Sequence, residues 1–198
     1  MSRDTKDDGA LRGRLEEAAD VLRAVDAGAV SRAVQVLADV RARGGVIYTA
    51  GNGGSAATAS HLALDLQKAA GTRAVCLSDS MGVVTAWGND ASFERVFAEQ
   101  LELLGNEGDG MVVISVSGSS PNVIALLEVA RRKGMASVGL LGRDGGRAAA
   151  LVDAPVVVRS DDYGWVESAH VVLHHVLAYA LRDSVSAVRA PLRKVGTK

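Results

Sequence analysis

Residues 46–60 read VIYTAGNGGSAATAS, and this stretch decides the fold. Val46–Thr49 is a short apolar run with β-branched and aromatic members, which suit a strand. Gly51-Asn52-Gly53-Gly54 cannot continue it, and Ser55–Ala70 returns to helical spacing. Strand, glycine turn and helix together make the opening of a βαβ unit. Moving outward, further apolar runs occur at Ala74–Leu77, Met111–Ser115, Ser137–Leu141 and Pro155–Val158. Helical stretches alternate with them at Ser92–Leu104, Pro121–Lys133, Arg147–Leu151 and Tyr163–Leu181. Runs such as MVVIS and PVVV are apolar throughout, as strands covered on both faces are. The expectation is an α/β domain: a five-stranded parallel sheet flanked by helices, doubly wound in the flavodoxin or Rossmann manner.

Upstream, Leu11, Leu15, Ala18 and Leu22, then Val30, Ala33, Val36, Leu37 and Val40, recur at helical intervals. Asp26-Ala27-Gly28 interrupts them, so residues 10–43 are expected to form a helical pair. Residues 1–9 read as a flexible lead-in, 10–185 as one domain with its α/β core at 46–185, and 186–198 as a basic flexible tail. A length of 198 residues suits a single domain. Lys+Arg at 22 against Asp+Glu at 23 gives no electrostatic ground to expect nucleic acid or a membrane surface as partner. Cys76 is the one cysteine, which excludes an internal disulfide framework. No apolar run approaches the roughly 20 residues of a membrane span, and Met1–Gly9 does not look like a signal peptide. A cytoplasmic location is therefore expected. Two further oddities need a user: 22 glycines, above the usual ~7%, and an aromatic content of only two Trp, three Tyr and two Phe.

In an open parallel sheet, ligands bind at the carboxyl ends of the strands. Two such ends are distinctive: Gly51-Asn52-Gly53-Gly54-Ser55-Ala56, and Ser115-Val116-Ser117-Gly118-Ser119-Ser120-Pro121-Asn122. Each opens a helix, whose free N–H groups and positive dipole end favour an anion. The first also fits G-x-G-x-x-A, but Asp79 stands 28 residues after Gly51 rather than the ~20 of a dinucleotide site. The second, with four serines on a separate helix start, reads as a dedicated cradle for one phosphate.

All four histidines fall in two predicted helices that also carry acids. His61 and Asp65 are four apart and share a face. Glu167, His170, His174 and His175 lie on the last helix. Two imidazoles and two carboxylates can make a zinc or other divalent site with room for substrate oxygens. At ~100° per residue, His174 lies about 20° from Glu167 around the helix, His170 about 60° and His175 about 80°. Helical spacing alone thus selects His174.

The turns GNGGSA and SVSGSSPNV, with GNDASFERVFAEQ and the DGGR run at Asp144–Arg147, resemble the sugar isomerase (SIS) domain and, more closely, the phosphoheptose isomerases. The likeness spans roughly residues 10–185. It implies an aldose–ketose isomerase acting on sedoheptulose 7-phosphate, a homotetramer with interfacial active sites, and a divalent metal, zinc by preference. The implied ligands are His61, Asp65, Glu167 and His175, since the family pattern places an amide or acid eight residues before the histidine. Asn52, Gly53, Gly54, Ser55, Asn89 and Asp90 are implied as binders of the sugar, the last two from a loop before Phe93. Ser115, Val116, Ser117 and Ser120 are implied as binders of the phosphate, Val116 by backbone only. Aldose–ketose chemistry needs a base at carbon and an acid at oxygen, roles assigned here to Asp65 and His175. Asp65, Glu167, Val116 and Ser119 stand where the family usually has Glu, Gln, Thr and Asn, so the substrate could be a related one, such as an octulose phosphate. A non-catalytic sugar-phosphate-binding regulator is the alternative of a different class.

Overall fold

The computed structural model describes residues 5–189. The chain opens with helices α1 (Thr5–Arg23) and α2 (Ala27–Ala42), the second started by Asp26, whose Oδ1 accepts from the Gly28 N–H at 2.7 Å. The break foreseen at Asp26–Gly28 is thus a helix cap. Thr5–Gly9, expected as lead-in, already belongs to α1, and residues 1–4 lie outside the described residues.

Five strands follow: β1 (Ile47–Gly51), β2 (Ala74–Cys76), β3 (Gly110–Ser115), β4 (Ala136–Gly142) and β5 (Ala154–Val158). They form one parallel sheet in the order β2-β1-β3-β4-β5, as expected of a doubly wound domain. Its crossovers are α3 (Gly54–Lys68), α4 (Met81–Asp90) with α5 (Ala98–Leu104), α6 (Pro121–Arg132) and a short 3₁₀ turn at Arg147–Ala150. The closing helix α7 runs Tyr163–Arg189, past the expected end at Leu181 and into the expected tail. The remainder of that tail, residues 190–198, lies outside the described residues.

Alternation along the strands splits the core in two. Ile47, Val112, Ile114, Val138, Leu140 and Val156 meet α2, α3 and α7 on one face. Tyr48, Ala50, Met111 and Val113 meet α5 and α6 on the other, with Val84 and Trp87 of α4 packed against that cluster. Two sequence expectations need correction. Ser92–Leu104 is a 3₁₀ turn (Phe93–Arg95) followed by α5 rather than one helix. Asn89 and Asp90 end a helix rather than occupy a loop.

The direction in which strands are added reverses between β1 and β3: β2 lies on one side of β1, and the parallel β3 begins the run on the other. This is the switch point at which doubly wound sheets form their ligand crevice. Both glycine- and serine-rich turns open there. Among the described residues no helix is long and apolar enough to cross a membrane.

Candidate active site

The turn after β1 is shaped by its glycines. Gly53 has φ +54°, which an L side chain resists. A Cβ on Gly54 would stand 2.5 Å from Glu167 Oε1, so only glycine admits the α7 carboxylate there. Glu167 is thereby fixed at the first turn of α3. Ser55, also on that turn, is buried.

The two ligand turns are joined by a reciprocal amide pair. Asn52 Nδ2 donates to Asn122 Oδ1 at 2.9 Å, and Asn122 Nδ2 donates to Asn52 Oδ1 at 2.8 Å. Each amide keeps one N–H and one lone pair. Sequence reasoning did not single out Asn122; an asparagine directly after the Pro at a helix start was its only signal.

In the serine loop the hydroxyls divide into two sets. Ser115 is buried and its Oγ accepts from Gly118 N at 3.1 Å, bracing the loop from inside. The Val116 side chain belongs to the core. Ser117 and Ser120 place their Oγ atoms 3.5 Å apart at the start of α6, and the Ser120 side chain makes no cap bond. Pro121 has no N–H and the Val123 and Ile124 N–H groups donate to Ser120 O, so the available anion cradle is those two hydroxyls with the Asn122 N–H. A cleft of about 660 Å³ beside it is lined by Ser117, Ser119, Asp144, Asp161, Arg143 and Arg159. These two cations were missed in the sequence, where nothing but the DGGR run pointed to the loop that holds Arg143.

Helices α3 and α7 both run back from the carboxyl edge of the parallel sheet, so positions along them match. Glu167 meets Gly54, and seven residues further along each chain His174 meets His61. The His61 and His174 ring centroids are 4.5 Å apart, and those of His174 and His175 are 3.9 Å apart. All three imidazoles turn Nε2 toward a single atom, Asp65 Oδ2: His61 at 3.7 Å, His174 at 3.5 Å and His175 at 3.7 Å. One donor atom from each of the four residues lies within 4.8 Å of every other. Helical spacing selected His174 and the family pattern selected His175; the fold brings both in.

His174 is completely buried and neither of its ring nitrogens has a hydrogen-bond partner. Burial pushes its pKa down to about 4, with the neighbouring His175 and His61 adding to the effect. It therefore offers a neutral lone pair at neutral pH, the form a metal ligand needs. Donors about 2.0–2.1 Å from one tetrahedral ion stand about 3.3 Å apart. The 3.5–3.7 Å separations around Asp65 Oδ2 are close to that spacing. The donor set fits a divalent cation.

Glu167 lies outside this four-residue group, in a cleft of about 460 Å³ between α3 and α7 that His61 also lines. Asn89 and Asp90 are exposed and hydrogen-bonded to each other at 2.8 Å, on the helix that packs against the opposite face of the sheet. One chain alone does not bring them to the histidines.

Against known proteins, the SIS domain family matches residues 14–142. The phosphoheptose isomerase of Geotalea daltonii is 41% identical over 165 residues, covering 81% of this chain and 86% of that one. That of Paramagnetospirillum magneticum is 42% identical over 167 residues, covering 81% and 84%. Among solved structures, phosphoheptose isomerase GmhA from Neisseria gonorrhoeae has a TM-score of 0.82 at 32% identity, covering 91% of this chain and 98% of that one. The Vibrio vulnificus NanR protein, solved with ManNAc-6P, shares the fold at 19% identity and a TM-score of 0.69, covering 92% of this chain and 65% of that one.

Proposed function

Because the chain belongs to the phosphoheptose isomerase family of SIS-domain proteins, and is on that ground a phosphosugar isomerase, we propose that it converts sedoheptulose 7-phosphate to an aldoheptose 7-phosphate. The observation that carries this reading is the convergence of His61, Asp65, His174 and His175 where α3 meets α7; α3 starts from the same carboxyl edge of the sheet as the serine-lined start of α6.

The phosphate is held by Ser117 and Ser120 with the Asn122 N–H, and by the Val116 backbone. Ser115 acts indirectly, by holding the loop. Arg143 and Arg159 offer local guanidinium donors beside the phosphate, in a cleft whose Asp144 and Asp161 balance their charge. Sugar hydroxyls take the remaining hydrogen-bonding capacity of Asn52, the Gly53–Ser55 backbone and the Glu167 carboxylate. Asp65 removes the proton from the carbon beside the carbonyl, and His175 exchanges a proton with the neighbouring oxygen. His61, Asp65 and His175 are metal ligands, with Glu167 the fourth that the family likeness implies. A divalent cation there, zinc by preference, supplies positive charge against the oxyanion that develops during proton transfer.

The family likeness further implies a homotetramer with active sites at subunit interfaces. In such an assembly Asn89 and Asp90 can serve a neighbouring copy. The single reduced cysteine and a phosphorylated sugar substrate favour a cytoplasmic setting.

An isomerase assay over a panel of C5–C8 ketose phosphates, with and without added divalent metal, tests the whole reading. Sedoheptulose 7-phosphate is expected to turn over fastest, and Asp65→Ala is expected to abolish turnover. Preference for an octulose phosphate would move the substrate; unchanged turnover in Asp65→Ala would remove Asp65 from the chemistry. Tight sugar-phosphate binding without proton exchange at the carbon next to the carbonyl would make the protein a regulator instead.

A further inference from the structure

We propose that His174 is itself a metal ligand, so that α7 contributes two consecutive histidines and the cation is held by His61, Asp65, His174 and His175. The inference rests on the reading that this site takes a divalent cation, and it changes which residues do the holding. It begins with a contrast inside one helix. His170 and His174 are both fully buried, and neither finds a hydrogen-bond partner for either ring nitrogen. An orphaned imidazole is therefore not diagnostic by itself in this protein. What separates the two is direction: His174 Nε2 points at Asp65 Oδ2 from 3.5 Å and belongs to the four-donor group, whereas His170 does not belong to it.

Two neighbours on a helix are about 100° apart, so they meet one ion only when it sits over the seam between them. Asp65 occupies that position: its Oδ2 is 3.5 Å from His174 Nε2 and 3.7 Å from His175 Nε2. The ring contacts of His174 with His61 and His175 do not satisfy its nitrogens, since stacking offers no donor or acceptor to a lone pair. A cation among the four donors gives that lone pair its partner. Glu167, seated against Gly54, is then free of ligation and faces the cleft as a carboxylate.

The chain has only four histidines, which makes the proposal countable. In protein labelled with ¹⁵N-histidine, adding one equivalent of zinc to the chelator-treated chain is expected to move the Nε2 resonances of three imidazoles by the large upfield shift of metal coordination. His170 should be the one left in place. Only two shifted imidazoles would overturn the proposal while leaving the metal site and the isomerase reading intact. None shifted would overturn it together with the metal reading. A second measurement uses His174→Leu, which replaces an unsatisfied buried ring with an apolar side chain. Zinc affinity, from competition with a chromophoric chelator, is expected to fall by at least the roughly 10–100-fold that losing an outer hydrogen bond to a ligand costs. Unchanged affinity would overturn the assignment.

Discussion

At Gly54 a single hydrogen in place of a methyl group decides where a carboxylate can stand. Gly54→Ala would put a Cβ 2.5 Å from Glu167 Oε1, but the obstacle is the far end of a flexible side chain. The fold should yield by turning Glu167 aside, and alanine favours the helix. Thermal stability is therefore expected to hold or rise, while kcat/KM falls on the order of a hundredfold because a catalytic-site group has moved by about 1 Å. Loss of both together would show that Gly54 matters for folding and not for placement. His170 offers a different test, because it is buried outside the donor group. Its folded pKa is about 4, set by burial, against 6.5 for the free side chain. Between those values the unfolded chain binds more protons than the folded one, so stability falls as pH drops from about 6.5 toward 4. The loss attributable to His170 is on the order of 3 kcal/mol. Urea unfolding of chelator-treated protein across that range should show the slope, which His174 shares, so His170→Leu should reduce it without abolishing it.

Between elements, the reciprocal amide pair of Asn52 and Asn122 is the direct tie from the β1 turn to the start of α6. Asn122 is 2% exposed and Asn52 half-buried, so Asn122→Ala opens a small gap and removes both hydrogen bonds that tie the Asn52 amide. A cost of about 1–3 kcal/mol is expected in urea unfolding. A raised KM should accompany it, since the sugar and phosphate turns lose their common anchor; an unchanged KM would mean that the two turns hold their spacing without it. The same scale shows what the sequence could and could not announce. The strands were legible because each is a short apolar run between turn residues, and α3 because His61 and Asp65 sit on a clearly periodic helix. Helix α4 was not, for a physical reason: only Val84 and Trp87 pack on the core, both partly buried, while Met81 and Val83 are exposed and Gly82 and Gly88 interrupt MGVVTAWGND, so no clear polar and apolar faces separate. The break inside 92–104 was equally silent. No glycine or proline marks it, and it arises where Val96 and Phe97 turn into the core. At the site, the i,i+4 pair on α3 was readable, but the meeting of α3 with α7 is non-local. Spacing within α7 could rank its histidines only against Glu167, whereas the group forms around Asp65, on another helix.

The whole molecule leaves apolar surface uncovered. On α1, Leu11 is 61% exposed and Leu15 is 72% exposed; on α7, Val172, Val176 and Tyr179 are each more than 40% exposed. Exposed apolar residues grouped on helices mark association surfaces more often than chance would place them there. The apolar spacing of residues 10–42 is only half spent inward, with Val21 and Leu22 on the core and Leu11 and Leu15 left outside. A tetramer is expected by size-exclusion chromatography with light scattering, and Leu11→Glu combined with Leu15→Glu is expected to yield smaller species. A wild-type monomer with full activity would refute the interfacial reading of the site.

The closing helix carries both concerns on adjoining turns: His174 and His175 point inward while Val172, Val176 and Tyr179 face out. A rigid helix cannot adjust one set without moving the other. Should copies associate through the outer face while a cation sits at the inner one, any coupling between the two is reciprocal, each altering the other by the same factor. If zinc strengthens assembly tenfold, assembly must strengthen zinc binding tenfold. A dilute chain would then give up its cation sooner than a concentrated one.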